Sequence, residues 1–500
     1  MGTMIMNLLS KSSLDFVGST NVHPLGLTVL ILAAVMTCTV RRVYVPVVLL
    51  SLAAFIPSAQ RIVVAGADFN FVRALVLVAL CRIMLRSEWR WIKWNAIDLC
   101  VLVGGIARVA CYPIAFGSMD QLIPQIGNNF ELIGAYLMVR SCVRNLDELQ
   151  VLVRAAAIIS CAVLPFFIRE RLTGRNFFSI FGGVPEITNV RDGRIRCRGA
   201  LSHAILAGCF FIAWLPLWIG LIVSRTGRAR LIGILGAVAG TSIVVCCASS
   251  TPLVALLLGV GVWAFFPLRR HMRTVYLAAI AAGFVLHFVM TKPIWHLISR
   301  IDLVGGSTGY HRYRLIDQAI HRFSEWWMVG LKSTGHWGFG LDDVTNQFIL
   351  DAVHGGVWAL LGMIGVFVFG YAAVGRELRR LAALRIAATQ KRMWAVLPRI
   401  AADEALTFGL GAALCTQMAI FLAVSYFGQT SVIWQFLMAL AACMAQWSRP
   451  APMSGRGRAE AKHARTKGLN QLNGVGRMGG ISVQGRSGSN DGDSSLRSSR

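Results

Sequence analysis

The sequence predicts an all-α, polytopic membrane protein. Its high hydrophobic content, its low content of charged residues and the clustering of its charges support this fold class. Of the 500 residues, 56% are hydrophobic and 14% are charged, and the mean hydropathy is +0.61. Soluble chains are about a quarter charged. The net charge of +26 falls in short clusters between long apolar runs and in a basic tail. These features argue against a soluble enzyme, a secreted disulfide scaffold and a nucleic-acid-binding module.

About 12 to 13 transmembrane helices are expected, because a bilayer core requires roughly 20 apolar residues per helix. The expected spans are 23–40, 43–58, 64–82, 96–116, 121–140, 149–168, 199–223, 231–248, 251–268, 274–290, 346–374, 405–425 and 430–446. The first run ends in Arg41-Arg42 without a small-residue cleavage site, so we expect a retained anchor. Most cysteines lie within these runs and are interpreted as small hydrophobic residues, without a CxxC metal pattern.

Basic clusters at every second connection predict the orientation, because short loops rich in Lys and Arg stay in the cytoplasm. They indicate an extracytoplasmic N-terminus and a cytoplasmic C-terminus. The expected regions are a short N-terminus (1–22), an N-terminal bundle (23–168), a basic periplasmic loop (169–198), middle helices (199–290), a large periplasmic loop (291–345), C-terminal helices (346–448) and a disordered basic cytoplasmic tail (449–500).

Both long loops, 169–198 and 291–345, are basic although the predicted topology places them outside. Solvated surface is the simplest explanation, since long loops can be translocated despite their charge. The clustering nevertheless favours an anionic ligand such as a lipid-linked diphosphate, because the planar guanidinium group matches phosphate oxygens two at a time. The residues of these loops that we expect to bind this anion are Arg191, Arg194, Arg196, Arg198, His311, Arg312 and Arg314.

Residues 310–328 are predicted to form a helix along the membrane surface with its Trp pair at the interface. Arg312, Ile316, Ala319, Phe323 and Trp327 recur at helical spacing on one face. An arginine at the head of this apolar stripe either snorkels to the surface or reaches into a shared cavity.

Charged residues are also expected inside the bilayer. Each costs roughly 2.5–3.5 kcal/mol at mid-bilayer, so it should be paired or face a wet cavity. Arg108 and Glu131 lie at similar depth on successive spans, and we expect them to form a pair. Arg73 and Arg108 are therefore candidates either for structural ion pairs or for substrate contacts.

Four short motifs resemble the O-antigen ligase and polymerase family, in family order over about residues 165–375. They are Arg196-Cys-Arg-Gly199 followed by Leu-Ser-His203, then Ala248-Ser-Ser-Thr-Pro252, then Arg312-Tyr-Arg-Leu-Ile-Asp-Gln-Ala-Ile320, and finally Gly338-Phe-Gly340 with Asn346 and Gly356. The hydropathy profile is similar to that of the family along most of the chain.

The resemblance implies a metal-independent, inverting, glycosyltransferase-like enzyme of the bacterial inner membrane that needs no cofactor. Such enzymes take a glycan from polyprenyl diphosphate on the periplasmic side and pass it to lipid A core or to another lipid-linked repeat unit. Arg196 and Arg312 match the positions that hold the diphosphate, where preorganised positive charge stabilises the leaving group. The implied partners are this lipid-linked oligosaccharide, membrane lipids and other polysaccharide-assembly proteins, and not nucleic acid.

The chain departs from the family where the ligase histidine is expected, because Thr345 occupies that position and cannot act as a general base. Asp342, Asp343, His336 and His354 are nearby substitutes, and His311 and His203 are more distant ones. The two aspartates are equally well interpreted as a cap for the following span. Asn346 either orients a sugar hydroxyl or satisfies a backbone group at a helix start, and Gly355-Gly356 favours close helix packing.

Two other classes of function remain open. A transporter or flippase for an anionic lipid-linked sugar could use the same arginines, although we find no internal repeat of the kind common in transporters. A catalytically silent scaffold for polysaccharide assembly is the third possibility, and Thr345 is the best argument for it.

Overall fold

The computed structural model describes residues 18–64, 67–300 and 309–448, with backbone only for Ala67 and Arg300. The expected tail (449–500), most of the expected N-terminal segment and residues 301–308 of the second loop lie outside the described residues.

Helices dominate the described residues. The α-helices are α1 (Pro24–Thr39), α2 (Val45–Phe55), α3 (Phe71–Leu85), α4 (Ala96–Phe116), α5 (Leu122–Cys142), α6 (Leu146–Thr173), α7 (Ala204–Ile212), α8 (Leu215–Ser224), α9 (Gly227–Cys247), α10 (Ser250–Gly261), α11 (Met272–Val289), α12 (Gly309–His321), α13 (Phe323–Trp326), α14 (Gln347–Gln390), α15 (Leu397–Phe421) and α16 (Ser431–Trp447). The strands are β1 (Arg61–Val64), β2 (Ala67–Asn70), β3 (Val190–Arg191) and β4 (Arg194–Ile195), which form two antiparallel hairpins.

Within the described ranges, 8 helical segments are long and apolar enough to cross a membrane. They are Ala96–Phe116, Leu146–Thr173, Ala204–Ser224, Gly227–Cys247, Ser250–Val289, Gln347–Gln390, Trp394–Phe421 and Gly428–Trp447. Pro24–Thr39 and Arg42–Phe55 are shorter apolar helices. The predicted class, an all-α multi-pass membrane protein, is confirmed at this level, whereas a count of 12 to 13 spans stays a prediction.

Asparagine side chains begin several of the helices. Asn70, Asn95, Asn145 and Asn346 each accept hydrogen bonds from backbone N–H groups in the first turn that follows. Asn95 also forms a reciprocal capping box with Asp98. These side chains satisfy donors that an isolated helix start would leave unpaired.

The predicted third span, 64–82, starts too early. Residues 61–70 form the β1–β2 hairpin, in which Arg61 pairs with Asn70 in register. The Arg61 guanidinium also binds the Asp68 carboxylate at 2.6 Å across the hairpin. Because Asn70 then caps α3, the helix begins at Phe71, and Asp68 lies in a strand instead of a membrane helix.

Glycines bring the best-buried helices close together. A Cβ atom on Gly220 would lie 3.1 Å from the Ala405 carbonyl oxygen, and one on Gly409 would lie 2.9 Å from the Pro216 carbonyl oxygen. Helices α8 and α15 therefore pack backbone against backbone, as small residues allow in membrane proteins.

Helix α14 is interrupted at Gly355 and Gly356, where φ is −145° and +63°. The α-helical hydrogen bond from Val357 N–H to the Val353 carbonyl oxygen is absent, and two hydrogen bonds to the second loop replace it. Val357 N–H donates to the Trp327 carbonyl oxygen, and the Val353 carbonyl oxygen accepts from Leu331 N–H, both at 2.8 Å. The loop thus satisfies the backbone groups that the break releases. It is thereby fixed to the start of this helix.

Gly355 also confirms the close packing predicted for this glycine pair. A Cβ atom on Gly355 would lie 3.1 Å from the backbone nitrogen of Arg108 in α4. The interruption itself has no counterpart in the sequence-based prediction.

Candidate functional site

The turn between α9 and α10 joins both long loops. In the first loop, Cys197 N–H donates to the Cys246 carbonyl oxygen at 3.1 Å. In the second, Arg312 Nη2 donates to Thr251 Oγ1, also at 3.1 Å. The two acceptors are five positions apart, which limits their separation along the chain to about 17 Å. The segments around Arg196 and Arg312 are therefore held at one end of the bundle by a single short connection.

The Glu170 carboxylate organises the first loop from the end of α6. Its oxygens accept hydrogen bonds from Arg198 N–H at 3.1 Å, Gly199 N–H at 2.9 Å and the Thr188 hydroxyl at 2.9 Å. A buried carboxylate with three donors is well satisfied and fixes the backbone that carries Arg196 and Arg198. The sequence analysis did not single out Glu170, because no motif connects it to the Arg-x-x-Gly segment.

The backbone conformation and the packing of Gly199 explain why the Arg-x-x-Gly segment ends in glycine. Its φ is +58°, and a Cβ atom there would lie 2.7 Å from the Phe167 ring. The Asn176 side-chain amide donates to its carbonyl oxygen at 2.8 Å. This position requires glycine for both its conformation and its packing.

Arg196, Arg198 and Arg312 are all shielded from solvent to some degree, and their guanidinium groups lack a carboxylate partner among the described residues. Arg312 is 8% exposed and the other two are half-buried. The Nε atom of each is buried and has no hydrogen-bond partner among the described residues. Within the same part of the chain none of the three forms an ion pair, and Arg198 Nη1 and Arg312 Nη2 donate only to the neutral oxygens of Ser202 and Thr251.

Burial lowers the pKa of all three guanidinium groups. For Arg196 the neighbouring Arg191 lowers the pKa further. For Arg198 the nearby Glu170 opposes the effect of burial, and for Arg312 the Cys209 thiol does so. Burial of positive charge is unfavourable, so an anion that binds beside one of these groups gains from its charge.

Five other buried or half-buried arginines differ from these three because each contacts a carboxylate. These pairs are Arg140 with Asp98 at 3.0 Å, Arg269 with Glu404 at 2.9 Å, Arg82 with Glu88 at 3.2 Å, Arg73 with Glu131 at 3.7 Å and Arg108 with Asp351. Carboxylates of the protein thus neutralise these five arginines, whereas Arg196, Arg198 and Arg312 form no ion pair in the described structure.

The predicted pair between Arg108 and Glu131 is wrong. Arg108 binds Asp351 in the first turns of α14, and Glu131 contacts Arg73 and the Asn70 amide, the latter at 2.9 Å. Arg73 also donates to Asn128 Oδ1 at 3.1 Å. Helix α14 packs against α4, which brings a carboxylate from far along the sequence to Arg108. Both arginines belong to separate polar clusters, so we assign them to structural pairs.

Arg191 and Arg194 lie on the exposed β3–β4 hairpin that precedes Arg196. The hairpin turns through Asp192 and Gly193, which both have positive φ values. Arg191 acts electrostatically on Arg196 and His203. The hairpin thus adds positive charge beside Arg196.

The predicted surface helix 310–328 is divided in two. Helix α12 ends at His321, and the chain turns at Arg322 before the short α13. Arg312, Leu315 and Ala319 form the buried face of α12. Because of the turn, Trp326 is buried while Phe323 and Trp327 are exposed, so these two do not continue the face of Arg312 as predicted. Arg312 points into the protein, where it contacts Thr251.

The segment 335–343 lies across α12. A side chain on Gly338 would collide with the Arg314 guanidinium, so this arginine packs against the Gly338-Phe-Gly340 turn. His311 Nε2 lies 3.0 Å from the Asp343 carbonyl oxygen. These contacts hold the closing motif of the second loop beside the helix that carries Arg312.

His336, a predicted base, is paired with Glu325. Its Nε2 atom lies 2.7 Å from Glu325 Oε2, which also accepts a bond from Trp337 Nε1 at 3.1 Å. The hydrogen bond from His336 is the largest cause that lowers the pKa of Glu325 to about 2, against the opposing effect of burial. Sequence reasoning did not single out Glu325, because no motif connects residues eleven positions apart in a loop.

The remaining base candidates are placed differently. Asp342 and Asp343 are exposed. His354 stacks edge-on against Tyr112 with ring centroids 4.6 Å apart, inside a membrane-spanning segment. His203 accepts the Ile205 N–H through Nδ1 and so caps α7. Burial and the positive charges of Arg196, Arg198 and Arg191 lower the pKa of His203 to about 4.

Asn346 caps α14 by accepting hydrogen bonds from Phe348 and Ile349 N–H groups at 2.9 and 3.2 Å. The interpretation that Asp342 and Asp343 cap this span is therefore wrong, and Asn346 takes the role of satisfying the helix start. The Thr345 hydroxyl beside it is buried and has no partner among the described residues.

No group of three or more His, Cys, Asp or Glu residues in the described ranges is arranged to hold a metal ion. Comparison of the chain with models of known protein families and with curated proteins finds no match.

Proposed function

We propose that this protein transfers or polymerises a glycan carried on polyprenyl diphosphate, at the extracytoplasmic face of a bacterial inner membrane. The observation that carries the proposal is the set Arg196, Arg198 and Arg312. Arg312 is buried, the other two are half-buried, and none forms an ion pair among the described residues, at a turn that joins both long loops. The order of the family-like motifs supports the same interpretation.

The arrangement suits a reaction in which a diphosphate leaves. As the bond between the sugar carbon and the diphosphate breaks, negative charge grows on the leaving oxygens. Guanidinium groups fixed in advance stabilise this charge without reorganising. Arg196 and Arg312 are the residues that we assign to binding of the diphosphate, and Arg198 adds positive charge beside Arg196. The reaction is inverting and metal-independent in this proposal.

The test is turnover of a polyprenyl-diphosphate oligosaccharide by the purified protein in liposomes. Longer lipid-linked products indicate a polymerase, and transfer to lipid A core indicates a ligase. Arg196→Ala and Arg312→Ala should abolish product at normal protein abundance, and a metal chelator should leave the wild-type rate unchanged. Arg175→Ala is the matched control, because Arg175 lies in the same loop, is 71% exposed and pairs with Glu186. Equal product from all variants would exclude this site.

Transport of a lipid-linked sugar is the second candidate, and one specific observation favours it. Helix α14 is discontinuous at Gly355-Gly356, and transporters often bind substrates at broken helices. The liposome assay separates the two, because transport relocates the substrate between leaflets without forming a glycosidic bond.

A further inference from the structure

We propose that His311 is the general base of the transfer reaction, in place of the histidine that the chain lacks at position 345. This proposal rests on the proposed function and adds to it the residue that takes the acceptor proton. Three observations carry it: the tautomer of His311, its position beside Thr345 and its position relative to Arg312.

The hydrogen bond of His311 fixes which ring nitrogen is free. Its Nε2 atom lies 3.0 Å from the Asp343 carbonyl oxygen. A carbonyl oxygen can only accept, so Nε2 must carry the hydrogen. In the neutral ring Nδ1 then has a free lone pair and can take a proton. The second loop thus holds the imidazole in the form that a base requires.

The same carbonyl group links His311 to Thr345, which occupies the position of the ligase histidine in the family that the chain resembles. The Asp343 oxygen also accepts the Thr345 N–H at 3.0 Å, so both residues are bonded to one atom. The Thr345 hydroxyl is buried and lacks a partner in the described part of the chain. The imidazole of His311 therefore lies next to the backbone of Thr345, at the position of the ligase histidine.

His311 is also next to Arg312 on α12. Consecutive helical residues point about 100° apart. Arg312 thus reaches the α9–α10 turn while His311 reaches Asp343. The diphosphate and the acceptor hydroxyl would be held from neighbouring positions on one rigid helix.

The other histidines of the site fit less well. His203 uses its Nδ1 atom to cap α7. His336 has the same type of free Nδ1, but its partner Glu325 lies beyond the C-terminal end of α12. The helix rises roughly 13 Å from Arg312 to His321, and Glu325 follows after the turn at Arg322.

The chemical step balances as a single displacement. The acceptor oxygen attacks the sugar carbon on the face opposite the diphosphate, and its O–H electron pair becomes the new glycosidic bond. The bond between that carbon and the diphosphate breaks, and its electron pair leaves with the polyprenyl diphosphate. The acceptor proton moves to His311 Nδ1 and then to water.

The experiment compares donor binding and turnover in liposomes for three variants. His311→Gln keeps a side-chain N–H for the Asp343 carbonyl but has no basic nitrogen. It should lower kcat by about 100- to 10,000-fold and leave binding of the polyprenyl-diphosphate donor unchanged. His311→Ala should be equally slow and should recover with added imidazole. His321→Gln, on the same helix with its ring 66% exposed, should turn over at the wild-type rate.

Each result has one meaning. Wild-type turnover in His311→Gln, or no response of His311→Ala to imidazole, would show a structural role and overturn the base assignment while the proposed function stands. A large loss in His336→Gln together with an active His311→Gln would move the base to His336. Absence of turnover in the wild-type protein with every acceptor would overturn both proposals.

Discussion

Arg312 Nη2 donates to Thr251 Oγ1 at 3.1 Å, while the buried Nε atom of the same guanidinium has no partner among the described residues. A neutral oxygen thus holds the guanidinium group in place without cancelling its charge. A carboxylate partner would neutralise the arginine, as Glu404 does for Arg269. A hydroxyl positions it and leaves its charge for an anion.

Thr251→Val should therefore weaken donor binding about tenfold, because it removes the hydrogen bond to a charged group and leaves the guanidinium free to move. Thr251→Ser keeps the hydroxyl and is the matched control. Equilibrium binding of the lipid diphosphate to both variants measures the difference. Equal affinities would show that Thr251 does not position Arg312.

Glu170→Gln should destabilise the first loop by about 1–3 kcal/mol, because one amide oxygen cannot accept the three bonds that the carboxylate accepts. Hydrogen exchange of the amides of Arg198 and Gly199 measures the loss of protection. Glu186→Gln, at an exposed position in the same loop, should leave exchange unchanged. Identical protection in both variants would contradict the role of Glu170.

Replacing one partner of the Arg108–Asp351 pair should cost about 3–5 kcal/mol, because the other charge remains buried and unpaired. Arg108→Met and Asp351→Leu should each lower the thermal stability in detergent. The double variant should recover most of it, since it contains neither charge. If the two single losses simply add in the double variant, the residues are not coupled.

His203 should make the protein sensitive to acid. Its pKa in the folded protein, about 4, lies below the ordinary histidine value of 6.5. The unfolded chain therefore binds the proton more tightly, so stability is unaffected above pH 6.5 and falls as the pH drops from 6.5 to 4, by up to about 3 kcal/mol. His203→Asn keeps a side-chain oxygen for the helix cap and should flatten this decline. Unfolding curves at several pH values test this, and parallel declines would contradict it.

The class of fold, an all-α multi-pass membrane protein, was predictable because the bilayer imposes a length and a hydropathy on each helix that crosses it. The two basic loops stood out in the sequence because the predicted topology places them outside, whereas Lys and Arg are usually concentrated in cytoplasmic loops. Arg196 and Arg312 emerged from the sequence as candidates, and the structure joins the segments that carry them to one turn.

Other features depend on contacts between distant residues. Asp351 is far from Arg108 in the sequence, so the pairing with Glu131, on the adjacent span, was the simpler prediction and proved wrong. The division of α12 from α13 and the interruption of α14 also depend on tertiary contacts. In α14 the second loop provides the bonds that the helix loses at Val353 and Val357. No periodicity in the sequence encodes that exchange.

The most direct test of the central claim is binding of polyprenyl diphosphate and polyprenyl monophosphate to the protein in nanodiscs. We expect the diphosphate to bind more tightly, and we expect this preference to disappear in Arg196→Ala and Arg312→Ala while Arg175→Ala retains it. Equal preference in all four proteins would contradict the assignment of these guanidinium groups to the leaving diphosphate.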